Sequence, residues 1–418
     1  MQAYAFKLMW KKLGVAVGLA CLLLIAVLWN SASSAAASLP QESGPGENGP
    51  VPAGAGVASP DLVPTALVTW YVAPTGSDSY TGTANAPFAT IQHAVQQIGA
   101  GDHGLIVIHA GVYTENLAIV QKDITLRGGY IVSDSQWIQT PVARTTVRAK
   151  QTEMTGRAVL LRYSDAVLED LVITGGRTVG ELCWGAGVWA TASDVVIRRS
   201  LITGNHADSG GCGSGGGVTA NYDYGDVSLA LEDTIIAGNT ALDYGGALAF
   251  DHAAVTLTNV LIYDNISPLA NSVAITGSSV TVQNSTIVDN PNGDQAIIVY
   301  DPPTSTLVMR NTIMWGNKSN LQVQGSCANC VRVTFSDIQG GWPDTGNIDK
   351  DPLFVKPIGR DYHLKAWSPC IDTGTLKGAP DHDFEGDTRP QNRGVDIGAD
   401  EFAGTVPGII FLPVVAHN

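Results

Sequence analysis

Val255-Thr256-Leu257-Thr258-Asn259-Val260-Leu261-Ile262-Tyr263-Asp264-Asn265 is followed, 25 residues on, by Val280-Thr281-Val282-Gln283-Asn284-Ser285-Thr286-Ile287-Val288-Asp289-Asn290. Each stretch sets two apolar residues two apart, an Asn just past them, an Ile three from the end and a closing Asn. Working outward, the pattern recurs in seven copies ending at Gly176, Asn205, Asn239, Asn265, Asn290, Asn317 and Gly341. The leading column reads Ala166, Val195, Leu229, Val255, Val280, Leu307 and Val331, and the column three before each end reads Ile173, Ile202, Ile236, Ile262, Ile287, Met314 and Ile338. Apolar residues at period two mark strands with one buried face. The odd offset between the two apolar pairs bends the chain once inside every copy. Small or β-branched residues sit at the bend: Leu171, Ser200, Thr234, Val260, Ser285, Thr312 and Ser336. Successive ends lie 29, 34, 26, 25, 27 and 24 residues apart, so a fixed motif is joined by elastic spacers. That is the pattern of a solenoid with loops let out on one side. The expectation is an all-β, right-handed parallel β-helix.

Asn205, Asn239, Asn265, Asn290 and Asn317 close five consecutive copies. Asn accepts left-handed backbone, and its amide can bond the identical amide one coil away, ~4.8 Å along the axis. A structural Asn ladder is therefore expected, against the alternative of a row of glycan-binding amides. A second column, Asp170, Arg199, Asp233, Asn259, Asn284, Asn311 and Phe335, falls between the two strands of each copy.

The chain has 418 residues, 15% charged, with 47 Gly, which suits tight-turned stacked strands rather than long solvated helices. Lys7, Lys11 and Lys12 precede an apolar run from Leu13 to Trp29 and the small stretch Ser31 to Ala37, the layout of a secretory signal cleaved near Ala37. A retained membrane anchor is the alternative. Cys21 lies inside the apolar run, with Gly18 where a lipoprotein site needs Leu, which argues against lipidation. Loss of residues 1–37 removes three of the 23 basic residues and none of the 38 acidic ones, leaving a net charge of −18. No basic patch is visible, so nucleic acid is a poor partner, and acidic polysaccharides are repelled unless a divalent cation bridges.

Residues 38–66 hold six Pro and five Gly with no apolar period and read as a disordered spacer. Phe88, Ile91, Ala94, Val95 and Ile98 follow helical spacing and predict a short N-terminal capping helix. The β-helix is expected over 67–341, an irregular C-terminal cap over 342–404, and an apolar tail over 405–418 that is too short to span a membrane.

Trp184-Gly185-Ala186-Gly187-Val188, Ser214-Gly215-Gly216-Gly217-Val218 and Tyr244-Gly245-Gly246-Ala247-Leu248 align at intervals of 30. Around them aromatics alternate with acids, and Trp184, Asp208, Tyr222, Asp223, Tyr224, Asp243 and Tyr244 are the candidate glycan-binding residues. Flat rings suit the apolar faces of sugars, and carboxylates accept hydroxyl hydrogen bonds or hold a bridging cation. Packing of the loops against the wall is the plainer alternative. Cys183 and Cys212 precede Gly185 and Gly215 at matching points of adjacent coils and are expected to pair. Cys327 and Cys330 form half of a zinc-type spacing with no second pair, and Cys370 stands apart. Asp381, Asp383 and Asp387 around Gly386 resemble half of a calcium loop, with Asn392 where an EF-hand needs Glu, so at most a looser Ca²⁺ site is expected there. Arg198 and Arg199 neighbour no acidic cluster in sequence, while Asp251-His252 and Asp264 would form an acid/base pair only if stacked across coils.

Three pieces carry a family resemblance: Tyr71-Val72-Ala73-Pro74-Thr75-Gly76-Ser77-Asp78 with Ala86-Pro87-Phe88-Ala89-Thr90-Ile91; Gly111-Val112-Tyr113-Thr114-Glu115 with Ile124-Thr125-Leu126-Arg127-Gly128-Gly129; and Asp361-Tyr362-His363-Leu364, Arg389-Pro390 and Asp396-Ile397-Gly398-Ala399-Asp400-Glu401. Together they resemble the pectin-lyase-like right-handed β-helix superfamily, the last piece resembling secreted bacterial proteins of the "choice-of-anchor" type. The resemblance implies a relation to uronic-acid polymers. It also implies catalytic signatures that this chain lacks: the Asn-Thr-Asp, Asp-Asp and Gly-His-Gly motifs of the hydrolases, and the Gln-Asp-Thr motif of the esterases. Gly111–Glu115 matches the esterases' Gly-x-Tyr-x-Glu and reads as a fold marker. The leading expectation is an exported, non-catalytic protein that binds a polysaccharide or cell-envelope glycan at the cell surface. The alternative is a divergent polysaccharide lyase, epimerase or hydrolase.

Overall fold

The computed structural model describes residues 67–151, 156–179, 184–208, 213–290, 295–300, 304–326 and 329–404. Three long parallel sheets run side by side along one axis. The first has strands from Leu67–Val72 through Asp194–Arg198, Ser228–Glu232 and Ala254–Thr258 to Val331–Thr334. The second runs from Gly111–Thr114 through Leu201–Thr203 and Leu261–Tyr263 to Asp337–Ile338, and the third from Leu117–Val120 through Val188–Thr191 and Leu248–Asp251 to Leu321–Val323. Each complete coil contributes one strand to each sheet in that order, while Leu67–Val72 adds to the first sheet alone and the last coil to the first two. The fold is a right-handed parallel β-helix.

The register follows the apolar columns. Ala166, Val195, Leu229, Val255, Val280, Leu307 and Val331 pair in succession in the first sheet. Ile173, Ile202, Ile236, Ile262, Ile287, Met314 and Ile338 do so in the second. Nearly all these side chains share one buried core, because a one-residue slip would turn every one of them to solvent. The bend between the first two sheets takes one left-handed residue per coil: Asp170, Arg199, Asp233, Asn259, Asn284, Asn311 and Phe335 all have φ between 44° and 58°. Asn and Asp tolerate this conformation at little cost, whereas Arg199 and Phe335 are strained there. In five of the seven coils the next residue is Ser or Thr, and three of the serines take up buried donors of the preceding turn: Ser200 Oγ accepts from Leu171 N, Ser285 Oγ from Val260 N and Ser336 Oγ from Thr312 N.

At the far side of the second sheet the five Asn stack inside the wall. Each Nδ2 donates to the Oδ1 of the next, at 3.0, 3.1, 3.3 and 3.1 Å from Asn205 to Asn317. The same Oδ1 atoms accept the backbone N–H of the preceding Asn. In the fully buried members the amide is thus spent on the backbone and on its neighbours.

The first coil is covered by a helix at Ile91–Gln96, which buries Ile91, Ala94 and Val95. The carboxylate of Glu115 accepts the N–H groups of Ile91 and Gln92 at 3.0 and 2.8 Å, and the Thr90 hydroxyl accepts from His93 N. Glu115 thereby satisfies donors that a helix start leaves open. At the other end, Phe335 N and Ile338 N donate to Thr345 O and Ile348 O, and Ser336 N to Asn347 Oδ1. Residues 342–350 so cover the edge of the last coil.

The chain then turns back. Residues 353–402 lie along the outer side of the second sheet, where Phe354, Tyr362, Leu364, Ile371 and Ile397 bury Leu261, Val288 and Ile313. Polar links tie this segment to several coils: Arg360 to Asp264 at 2.6 Å, Tyr362 Oη to Asp289 at 2.9 Å, Asn259 Nδ2 to His382 O at 2.9 Å and Thr375 N to Asn311 Oδ1 at 2.8 Å. The cap region is thus two structures in sequence, an end cover and a lateral clasp.

Candidate functional site: the outer face of the third sheet

Side chains alternate along each third-sheet strand, so Val188 and Ala190 enter the core while Trp189 faces outward. Trp189 pairs in register with Leu160 and Thr219, and the row continues through Ala249, Ala274 and Ile298. From Thr219 to Ala274 the row is small, which leaves a trough. The Gly-rich segments stack before these strands, with Trp184, Ser214, Tyr244 and Ala270 in successive bridges. Gly185 and Gly245 take φ of 55° and 63°, and a Cβ on either would stand within 2.5 Å of a backbone oxygen. Those turns need glycine.

Trp184, Tyr244 and Tyr300 wall a groove of about 290 Å³ whose floor is Thr219, Ala249 and Ala274 and whose polar edge holds Ser214, Asp251 and Thr276. The Tyr244 and Tyr300 rings meet edge to face at 5.4 Å, and burial raises the Tyr300 hydroxyl above its usual range, Tyr244 adding to the effect. Of the seven residues expected from sequence, Trp184 and Tyr244 line this groove. Tyr300 and Asp251, which sequence reading passed over, line it with them. Asp223 and Tyr224 join a neighbouring cluster: Trp189 Nε1 donates to Asn221 Oδ1 at 2.9 Å, Asn221 Nδ2 donates to Asp223 Oδ2 at 3.0 Å, and the Trp189 and Tyr224 rings lie 6.3 Å apart. Tyr222 is exposed at the turn. Asp208 pairs with Arg177 one coil back at 2.6 Å, and Asp243 is turned inward with a buried Oδ2.

The charged residues at the end of the first-sheet strands gain partners that are distant in sequence. Arg198 and Arg199 do meet acids, one coil back: Arg198 Nε lies 2.7 Å and Arg199 Nη2 2.9 Å from Glu169 Oε2, and Arg199 also pairs with Asp170 at 2.9 Å. Arg127 completes the grip on Glu169, whose side chain is fully buried. Burial opposes ionisation of Glu169, but the hydrogen bonds from Arg127 and Arg198 outweigh it and hold the carboxyl below its ordinary value. The Asp170 hydrogen bond keeps Arg199 charged, the opposite of what a proton-abstracting base requires. His252 pairs with its neighbour Asp251 at 2.7 Å, while Asp264 is taken by Arg360, so the acid/base pair across coils does not form.

The architecture is similar to several solved structures. These include pectate lyase Pel9A (13% identity, 81% of this chain and 96% of that one, TM-score 0.42), a pectin methylesterase from carrot (14%, 67% and 88%, 0.34) and XylC in complex with xylose (12%, 79% and 98%, 0.32). The likeness is one of overall fold alone. No family model and no curated protein matches the sequence.

The C-terminal acids, read from sequence as half a calcium loop, have other work in this β-helix. Asp383 is buried, its Oδ1 accepting the N–H of Glu385, Gly386 and Asp387 and its Oδ2 that of Glu401. Asp381 is exposed and pairs with His382, and Asp387 is exposed. The three do not converge, and among the described residues no group of three His, Cys, Asp or Glu side chains is placed to hold a metal ion. The Arg389 and Asp396–Glu401 motif is likewise a structural knot: Arg389 Nη1 pairs with Glu401 at 3.0 Å with both side chains fully buried, and Asp396 accepts from Asp372 N and Phe402 N. Burial pushes Asp396 up to about 8. Cys330 is disulfide-bonded, which removes it from a zinc site, and Cys370 is free and buried. Cys183 and Cys212 lie outside the described residues. No helix among the described residues is long and apolar enough to cross a membrane.

Proposed function

We propose that this is an exported, non-catalytic β-helix protein that binds a polysaccharide or cell-envelope glycan along the outer face of its third sheet, with a C-terminal region of the choice-of-anchor type. One observation carries the reading: three aromatic side chains, Trp184, Tyr244 and Tyr300, wall a trough floored by small residues. A sugar ring presents apolar C–H faces to flat aromatics and hydroxyls to polar rims, here Ser214 and Asp251. Trp184 and Tyr244 are held by bridges between stacked segments, Trp184 to Ser214 and Tyr244 to Ser214 and Ala270, and the Tyr244 and Tyr300 rings pack on each other, so part of the ordering is in place before binding.

The test is glycan-array screening followed by calorimetry on the best hit. Trp184→Ala and Tyr300→Ala are expected to weaken binding about tenfold or more, the loss of ~1.4 kcal/mol, with the thermal midpoint retained. Binding that persists in both variants would place the site elsewhere. The enzyme alternative is favoured by one feature, a second groove of about 350 Å³ in which Glu232 and His382 lie near Arg198 and Glu385. Reducing-end and unsaturated-product assays on acidic polysaccharides decide it: turnover abolished by Glu232→Gln or His382→Ala would replace the binding reading.

A further inference from the structure

Beside the groove, two arginines stand against aromatic rings with no carboxylate of the described residues in ion-pair reach. The Arg157 guanidinium lies 4.3 Å from the Trp189 ring centroid, and that of Arg162 lies 5.0 Å from Tyr224 and 6.0 Å from Tyr163. Among the described residues Arg127, Arg177, Arg198, Arg199, Arg360 and Arg389 pair with Asp or Glu, and of the arginines without such a pair Arg157 and Arg162 are the ones stacked on aromatic rings. The chain carries 38 acidic residues against 23 basic ones, so partners are plentiful. Asp223 is the acid whose field reaches Arg157, yet its Oδ2 is engaged by Asn221. Arg162 Nε is buried with no hydrogen-bond partner. A buried donor left open is costly, and a guanidinium's planar fork suits an oxyanion.

The cluster is continuous with the groove. Arg157 Nε donates to the carbonyl of Trp184, a groove wall, at 2.8 Å, and Trp189 is the register neighbour of Thr219, part of the floor. Tyr163 and Tyr224 are 47% and 48% exposed, which leaves ring surface free for stacking. From Leu160 to Ile298 the face spans five coil steps, roughly 24 Å.

We propose that Arg157 and Arg162 form an anion-binding subsite that takes a carboxylate or sulfate carried on a sugar whose neighbours occupy the aromatic groove. The proposal rests on the glycan reading of that groove and adds the charge of the ligand. It places a local attraction for anions on a protein whose net charge repels them. Burial pushes Arg157 down to about 10, a cost that an arriving anion relieves.

The experiment titrates the full chain with three glucose-based tetrasaccharides, one neutral, one sulfated and one containing glucuronate, at low and high salt. An anionic probe is expected to bind about tenfold more tightly than the neutral one at low salt, and the gap to narrow at high salt. Arg162→Gln and Arg157→Gln should bring the anionic probes to the neutral level; Arg162→Gln should leave neutral binding unchanged, Arg157→Gln also removes the bond to the Trp184 carbonyl and is read by the loss of the anionic preference, and Trp184→Ala should weaken all three. Arg162→Lys, which keeps the charge but loses the fork, should retain part of the preference. A stronger preference for the sulfated or the glucuronate probe identifies the source of the anion. Equal affinity for all probes, or a preference that survives both Gln variants, overturns the subsite while the groove stands. Binding of no probe overturns both.

Discussion

Asn265 shows what one residue holds in this fold. Its Nδ2 donates to Ile236 O, Tyr263 O and Asn290 Oδ1, and its Oδ1 accepts both the backbone and side-chain N–H of Asn239. Asn265→Ala leaves several of these buried groups open, each worth ~1–3 kcal/mol, so a loss of about 3 kcal/mol is expected in urea unfolding. Asn317→Ala, at the end of the column and 8% exposed, should cost about half as much or less because water reaches the site. Equal losses at the two positions would contradict a stacked ladder. At this scale the columns were readable in sequence because identical residues recur at the same step of each copy. The partners of Arg198 and Arg199 were not, since Glu169 lies 29 and 30 residues from them and Asp170 lies 29 from Arg199, and they become neighbours only once the coils stack. Tyr300 joins Tyr244 in the same way, two coils apart with nothing in the intervening sequence to link them.

Among elements, the lateral clasp over 353–402 was the least legible. It has no apolar period, and its cue lies elsewhere: the second-sheet strands carry apolar residues on both faces. Leu261, Val288 and Ile313 point away from the core that takes Ile262, Ile287 and Met314. A strand apolar on both faces is covered on both. The clasp also carries a pH dependence. His363 bonds Asp361 at 2.6 Å and Glu385 at 2.8 Å; burial works against its charge, but these carboxylates, with Asp400 nearby, push it up to about 9. His382, raised chiefly by Asp381, reaches Asp233 on the coils at 3.3 Å. For a base raised in the folded state, the added stability is present below its ordinary 6.5 and is lost as pH climbs through about 9. Burial raises Asp337 and Asp400 to about 6, so folding favours their protonated forms and stability also declines as pH rises from 3.8 to 6. Both effects have the same sign. Hydrogen exchange, corrected for its intrinsic rate, should therefore show residues 353–402 less protected above about pH 9 than at pH 6, with the third-sheet strands unchanged. A flat profile over that interval would remove the histidines from the clasp's stability.

Across the whole molecule, each coil touches only its neighbours, so a bare solenoid is stabilised by a sum of local terms and frays from its ends. The clasp changes this by joining Asp233, Asn259, Asp264, Asn284, Asp289 and Asn311 to one segment. A chain ended after Lys350 keeps its end cover but loses those links. Its urea transition is expected at lower denaturant and with a smaller slope than that of the full chain, because distant coils no longer unfold together. An unchanged midpoint and slope would mean that the coils cooperate without the clasp.

The order in which the chain is made gives the clasp another meaning. The coils can stack as they emerge, but the strip at Leu261, Val288 and Ile313 stays bare until the stretch ending near Phe402 has been synthesised. A product interrupted before that point has the right core and an open apolar flank, a surface that chaperones and proteases recognise. Completeness is thus written on the outside of the molecule, and an unfinished copy carries the mark by which it can be discarded.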